Sequence, residues 1–231
     1  MAPIRTLIVE DHQSIIDGYL YRLNGTQVKI VAVARFGEEI EKLLAGHEVD
    51  VLLLDIHVPT SPSNSNPFPV LYLIPKLLAR YPHLKVLVIS MLNQRSLIEA
   101  LVDAGISGYI FKADYSSIEK LETVVEAVAK GGVYFSQEAY EGLRAGKKNL
   151  LTARQMEALS LCATYPDLDL AVLAQKLGIQ PSTFRNLLSG AYERLGVRTR
   201  TAAIHKANQL GILPPAALRF ATDGDVHGEK A

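Results

Sequence analysis

The chain has 231 residues, 48% of them apolar and 21% charged, with a formal net charge of zero. That length allows two small domains, and the composition is that of an ordinary globular protein. No apolar stretch nears the ~20 residues of a membrane span, the N-terminus has no apolar leader, and the single Cys162 excludes an intrachain disulfide. A reducing, cytoplasmic setting is expected.

The first half alternates between two periodicities. "TLIVE" (6–10) is a short β-branched run, followed by "HQSIIDGYLYRLNG" at helical spacing. "VKIVAVA" (28–34) predicts a second strand, and "GEEIEKLLAG" a short helix with Ile40, Leu43 and Leu44 on one side. "VLLLD" predicts the third strand, and "VLYLIPKLLARY" a helix with Pro75 as a kink or late first-turn residue. "KVLVIS" is the fourth strand, "QRSLIEALVDAG" a helix closed by Gly105, and "GYIFK" the fifth strand. "SSIEKLETVVEAVAKGG" predicts one helix closed by Gly131. Five strands alternating with five helices imply a parallel, doubly wound α/β sheet, and strands covered on both faces read as unbroken apolar runs.

After Gly132 the strands stop. Residues 133–149 read as a partly helical linker, and residues 150–212 as helices over 152–164, 170–177, 181–195 and 199–210. The tail, 213–231, opens with a possible short helix and ends polar. Residues 1–135 carry 12 Lys/Arg against 15 Asp/Glu, whereas residues 147–212 carry 9 against 4. An acidic half joined to a basic half suggests two jobs, the second on a polyanion.

Polar groups close the strands. Glu10 and Asp11 end the first, Asp55 the third, Ser90 the fourth and Lys112 the fifth. In an open parallel sheet the carboxyl ends of the strands form the ligand rim. Crowded carboxylates resist ionisation unless a cation joins them, and Mg²⁺ suits a shallow oxygen site that shares a phosphate. A carboxylate acceptor, a metal, a lysine and a hydroxyl suit the receipt of a phosphoryl group, which needs positioning and charge neutralisation.

"LIVEDH", "VLLLDIHVP", "VLVIS" and "GYIFK" resemble the flavodoxin-like receiver domain of bacterial two-component response regulators, over roughly residues 4–130 within a domain 1–132. The resemblance implies that Glu10 and Asp11 hold Mg²⁺ and that Asp55 is the phosphoacceptor and a third ligand. It also implies that the backbone carbonyl of His57 completes the protein ligands and that Ser90 and Lys112 bind phosphoryl oxygens. Tyr109 matches the aromatic switch that turns inward as Ser90 moves. One departure is the segment "TSPSNSNPFP" (60–69), about seven residues longer than the family's usual loop. Its Ser, Asn and Pro content favours an extended, mobile surface insertion, with a lid or partner-recognition element as the alternative.

In the second half, "LAVLAQKLG" predicts a helix with Leu173, Ala174 and Leu177 inward, ended by Gly178. "IQPSTFRNLLSGAYERLGV" starts with Pro181 in its first turn and buries Phe184, Leu188 and Leu195, leaving Arg185, Asn186 and Ser189 outward. That is a helix-turn-helix layout. Residues 150–212 resemble the LuxR/NarL-type DNA-binding domain through Leu151-Thr152, Arg154, Glu157, Leu159, Ala174, Leu177, Thr183, Leu195-Gly196-Val197 and Arg200. The resemblance implies that Arg185, Asn186 and Ser189 contact base edges or nearby backbone. Thr183 and Arg200 would meet phosphates or brace the fold. Gln155 and Gln180 depart from the family pattern, and Gly190 inside the second helix costs ~1 kcal/mol relative to Ala. The last helix places Ala202, Ala203, Ile204 and Ala207 at a spacing that admits a second copy.

The expectation is a regulator, not an enzyme, whose Asp55 is phosphorylated by a histidine kinase and which binds double-stranded DNA as a homodimer. The alternatives are a receiver-gated protein-interaction module and a phosphorylation-independent regulator.

Overall fold

The computed structural model describes residues 2–144 and 150–215. The first half is the expected parallel sheet with crossover helices. Its strands are β1 (Ile4–Val9), β2 (Val28–Ala34) and β3 (Val51–Leu54), then, beyond an inserted hairpin, β6 (Lys85–Ser90) and β7 (Gly108–Phe111). The helices are α1 (Gln13–Leu23), α2 (Glu39–Gly46), α3 (Val70–Arg80), α4 (Arg95–Asp103), α5 (Tyr115–Glu119) and α6 (Leu121–Ala129). All ladders of this sheet are parallel.

Strand pleating explains the solid apolar runs. Leu52 and Leu54 join Leu7, Val9, Val86 and Val88 in the core on one face. Val51 and Leu53 join Ile8, Leu87, Ile89 and Ile110 on the other, against α1 and α6. Alternate residues point to opposite faces, so a strand buried on both must be apolar throughout.

Three expectations change in this half. The sheet has six strands, in the order β2-β1-β3-β6-β7-β8, not five. The sixth, β8 (Tyr134–Phe135), comes from the segment read as a linker, and α7 (Gln137–Arg144) follows it and packs on α4. Ser136 fastens this addition: its amide donates to the Tyr109 carbonyl at 2.9 Å and its hydroxyl accepts from the Phe111 amide at 3.0 Å. Secondly, the helix expected as one over 116–132 breaks at Lys120, and Asp114 caps its first part by accepting from the Ser116 and Ser117 amides. Pro75 lies inside α3, as its sixth residue.

The third change concerns residues 60–69. They are not a mobile loop but hold most of an antiparallel hairpin, β4 (Pro59–Ser61) and β5 (Asn64–Pro67). Helix α2 has no side-chain N-cap, and the hairpin takes that role: the Gly37 and Glu38 amides donate to the Pro59 and Thr60 carbonyls at 2.9 and 3.0 Å. Phe68 sits directly over Gly37, where an added Cβ would lie 1.9 Å from the ring. No side chain other than hydrogen fits there.

The second half is all-helical: α8 (Ala153–Thr164), α9 (Leu170–Leu177), α10 (Pro181–Leu195) and α11 (Arg200–Gln209). Gly178 and Gly196 end α9 and α10 in the left-handed conformation, at φ 69° each. Leu173, Ala174, Leu177, Phe184, Leu188 and Leu195 are buried as the spacing requires. Ala203 and Ala207 are also fully buried within this helical unit, so they do not present a face to a second copy as expected. Gly190 is not a weak point of α10 but a contact: an added Cβ would approach Gln155 Nε2 to 2.7 Å. Gln155 in turn forms a capping box with Thr152 at the start of α8. Of the tail, residues 216–231 lie outside the described residues, as does the short helix expected there.

Candidate functional site

Backbone register brings the rim residues together. Beyond the paired strand ends, the Glu10 amide donates to the Ala34 carbonyl, the Asp55 amide to Val9 and the Lys112 amide to Ser90, at 2.8–3.0 Å. The ladder therefore runs one residue past the apolar strands. It sets Glu10, Asp55, Ser90 and Lys112 side by side at the carboxyl ends of β1, β3, β6 and β7.

Lys112 is the centre of this group. Its Nζ donates to Glu10 Oε2 at 2.6 Å and to Asp55 Oδ2 at 2.7 Å. The side chains of Glu10 and Asp55 are only 1% and 5% exposed, and that of Lys112 11%. Two buried carboxylates share one buried ammonium, so the cluster carries one more acidic group than cationic one, and each carboxylate feels the other as well as the lysine. Burial and the neighbouring Asp55 charge push the Glu10 carboxyl above its usual range, against the pull of Lys112. For Asp55, burial opposes ionisation, but His57 and Lys112 outweigh it and hold the carboxyl below its usual range. Burial likewise opposes the Lys112 charge, and the two carboxylates reverse that and raise it. Of the two carboxyls, Asp55 is the one its neighbours bias toward the charged form.

Asp11 and His12 extend the acidic edge. His12 Nδ1 lies 3.1 Å from Glu10 Oε1 and 2.9 Å from Asp11 Oδ1, and the His12 amide also donates to Glu10 at 3.1 Å. Ligand atoms of Glu10, Asp11 and His12 fall within 4.8 Å of one another. His12 was not anticipated as part of the site. Its position directly after the acidic pair was the available signal, since a residue opening α1 beside two carboxylates must turn toward them or toward solvent. The His57 amide donates to Asp55 Oδ1 at 3.1 Å, and its ring stays 3.7 Å from the same atom.

Ser90 and Tyr109 form a second chain of contacts. The Leu92 amide donates to Ser90 Oγ at 3.1 Å, and the Tyr109 hydroxyl donates to the Leu92 carbonyl. Both side chains are fully buried, so Tyr109 lies in the inward position. The backbone of one residue, Leu92, thus contacts both side chains, its N–H to the Ser90 hydroxyl and its C=O to the Tyr109 hydroxyl.

The residues expected to meet DNA occupy a different surface. Thr183, Arg185, Asn186 and Ser189 are all exposed along α10. Arg200 departs from them: its guanidinium donates to the Pro166 carbonyl at 2.8 Å and braces the loop between α8 and α9.

Comparison with known proteins agrees with this geometry. The transcriptional regulatory protein UhpA of Salmonella typhimurium is 27% identical over 205 residues, covering 88% of this chain and 97% of its own. The transcriptional regulatory protein DegU of Brevibacillus brevis is 26% identical over 227 residues, covering 87% and 91%. Among solved structures, RcsB of Salmonella enterica serovar Typhimurium, bound to promoter P1flhDC in the presence of the phosphomimetic BeF3-, superposes with a TM-score of 0.64 at 20% identity, covering 89% of this chain and 98% of RcsB. That likeness extends the shared fold across both halves. The response regulator receiver domain model matches residues 6–126, more than half of the chain, and the protein belongs to that family.

Proposed function

We propose that the protein is a two-component response regulator that accepts a phosphoryl group on Asp55 from a histidine kinase and regulates transcription through α10. The observation that carries this reading is the Lys112 ammonium lying within 2.7 Å of both Asp55 and Glu10, groups up to 102 residues apart in the chain. Such an arrangement keeps a buried carboxylate ionised and ready to attack.

The step is an in-line displacement. An Asp55 Oδ lone pair attacks phosphorus, forming the acyl-phosphate P–O bond as the P–N bond to the donor histidine breaks. The bond pair returns to the imidazole nitrogen, which takes a proton from solvent. Lys112 Nζ then turns from Asp55 to a phosphoryl oxygen, and the Ser90 hydroxyl donates to another. The carboxylates of Glu10, Asp11 and Asp55, with the His57 carbonyl, are hard oxygen donors that fit Mg²⁺. When bound, that ion would neutralise charge on the phosphoryl oxygens.

Thr183, Arg185, Asn186 and Ser189 are free to reach into a major groove, Arg toward guanine and Asn toward adenine. DNA complexes of the structural relative RcsB, in one of which it is dimeric, and the transcriptional role in the names of UhpA and DegU support the same reading, with this chain acting as a homodimer on DNA. Among the described residues no helix is long and apolar enough to cross a membrane, and a cytoplasmic regulator is consistent with that. Incubation with acetyl phosphate and Mg²⁺ should add one phosphoryl group by mass, absent in Asp55→Ala. A gel-shift series across salt concentrations should then resolve specific from nonspecific DNA. No mass gain in the parent chain would remove the phosphoacceptor reading.

A further inference from the structure

The two halves are joined by the inserted hairpin. Helix α8 ends at Thr164, where carbonyls lack intrahelical donors. The Thr164 carbonyl instead accepts from Asn64 Nδ2 at 2.9 Å and Asn66 Nδ2 at 3.3 Å, both on β5. In return, the buried Thr164 hydroxyl lies 2.7 Å from the Pro67 carbonyl and 3.0 Å from that of Ser160. Asn64 is held for this task, because its Oδ1 accepts from the Asn66 amide at 3.0 Å. Beside the hairpin, Lys76 Nζ on α3 lies 3.4 Å from the Lys176 carbonyl at the end of α9, and the apolar core beneath α3 and α4 continues into the helical unit. The hairpin thus supplies a C-terminal cap to a helix of the other half of the chain.

It is also tied to the phosphoacceptor. Three residues, Ile56 to Val58, separate Asp55 from β4; Ile56 and Val58 are fully buried, and His57 donates its amide to Asp55. Phe68 closes the far end, its amide donating to the Val58 carbonyl at 3.1 Å. A displacement at Asp55 or His57 therefore has little slack in which to dissipate before it reaches the Asn64 and Asn66 amides. The face of α10 stays exposed, so the contact does not occlude DNA. It fixes how the helical unit is oriented.

We propose that hairpin 59–67 is an interdomain clamp that caps α8 through Asn64, Asn66 and Thr164, and that phosphorylation of Asp55 loosens it. The second clause rests on the phosphoacceptor reading above; the first does not.

The test is an interdomain distance measured by spin-label pairs at Glu48→Cys and Glu193→Cys in the full chain, with buried Cys162 replaced by Ala. The unmodified chain should give a narrow distribution. Asn64→Ala/Asn66→Ala should broaden it at least twofold, as should Thr164→Val, whereas Thr164→Ser should stay narrow. A far-UV circular dichroism spectrum and a cooperative thermal transition like those of the parent would show that each variant is folded. Acetyl phosphate on the parent chain should also broaden the distribution, in proportion to the phosphorylated fraction measured on the same sample. A narrow distribution in the folded Asn double variant would overturn the clamp. Broadening by that variant but none on stoichiometric phosphorylation would overturn the coupling. No mass gain in the parent chain would overturn the phosphoacceptor reading and the coupling with it, while the asparagine variant would still decide the clamp.

Discussion

Replacing Lys112 by Met tests the electrostatic core of the site. The substitution keeps the side chain's length but removes the charge that Glu10 and Asp55 share at 2.6 and 2.7 Å. Both carboxylates are almost wholly buried, so neither can recover much solvation from water. Removing one partner of a buried ion pair costs about 3–5 kcal/mol. At roughly 4 °C per kcal/mol for a unit of this size, the receiver should lose about 12–20 °C in Tm. The chain has no Trp, so far-UV circular dichroism during urea and thermal unfolding is the suitable probe, at neutral pH with a chelator present. Asp55→Asn in the Lys112→Met background removes one of the two stranded charges and should restore about 1–3 kcal/mol, a coupling expected only for groups in contact. Added Mg²⁺ should also restore part of the loss. A loss below about 1 kcal/mol, or a double variant no more stable than Lys112→Met, would refute the shared-ammonium account.

Further perturbations address other parts of the chain. At the start of α5, burial opposes charge on Asp114, but the Ser117 and Ser116 donors outweigh it and hold its carboxyl at about 2. Because that value lies below the unfolded one, its stabilisation is present above the ordinary carboxylate range and is lost as pH falls through about 2. Asp114→Ala should therefore cost about 1 kcal/mol at pH 7, and the difference from the parent should vanish in acid, as read by urea titrations at stepped pH. Gly190→Ala should destabilise the helical unit through its clash with Gln155, yet stabilise it by up to about 1 kcal/mol in a Gln155→Ala background, where only helix propensity remains. Arg185→Ala should weaken specific DNA binding by about 1–3 kcal/mol and relax specificity at one base position, measured by competition gel shifts at fixed salt.

The sheet and the rim were legible because their signals are local. Val51 to Leu54 can only be a strand covered on both faces, and Asp55 at its end announces the site. In the helical half, α9 and α10 begin and end where Pro181, Gly178 and Gly196 dictate. What escaped depends on distant partners. The hairpin 59–67 reads as a loop because Ser, Asn and Pro lack an apolar period; its order comes from α2 amides on one side and Thr164 on the other. Strand β8 is two residues long, too short for any periodicity, and exists because the β7 edge is there to receive it. The roles of Gly190 and of His12 likewise lie in what stands opposite them, Gln155 in one case and two carboxylates in the other.

The strand and helix contributed by residues 134–144 bear on how this protein could be cut and recombined. A fragment ended at Gly132, where the alternating pattern stops, would leave the β7 edge unpaired and strip α4 of its cover. Such bare edges recruit other chains and aggregate. A receiver carried through Arg144 keeps both protections, so chimaeras that exchange the output half should be joined after that residue. A graft made twelve residues earlier should precipitate even though Glu10, Asp55, Ser90 and Lys112 are all present.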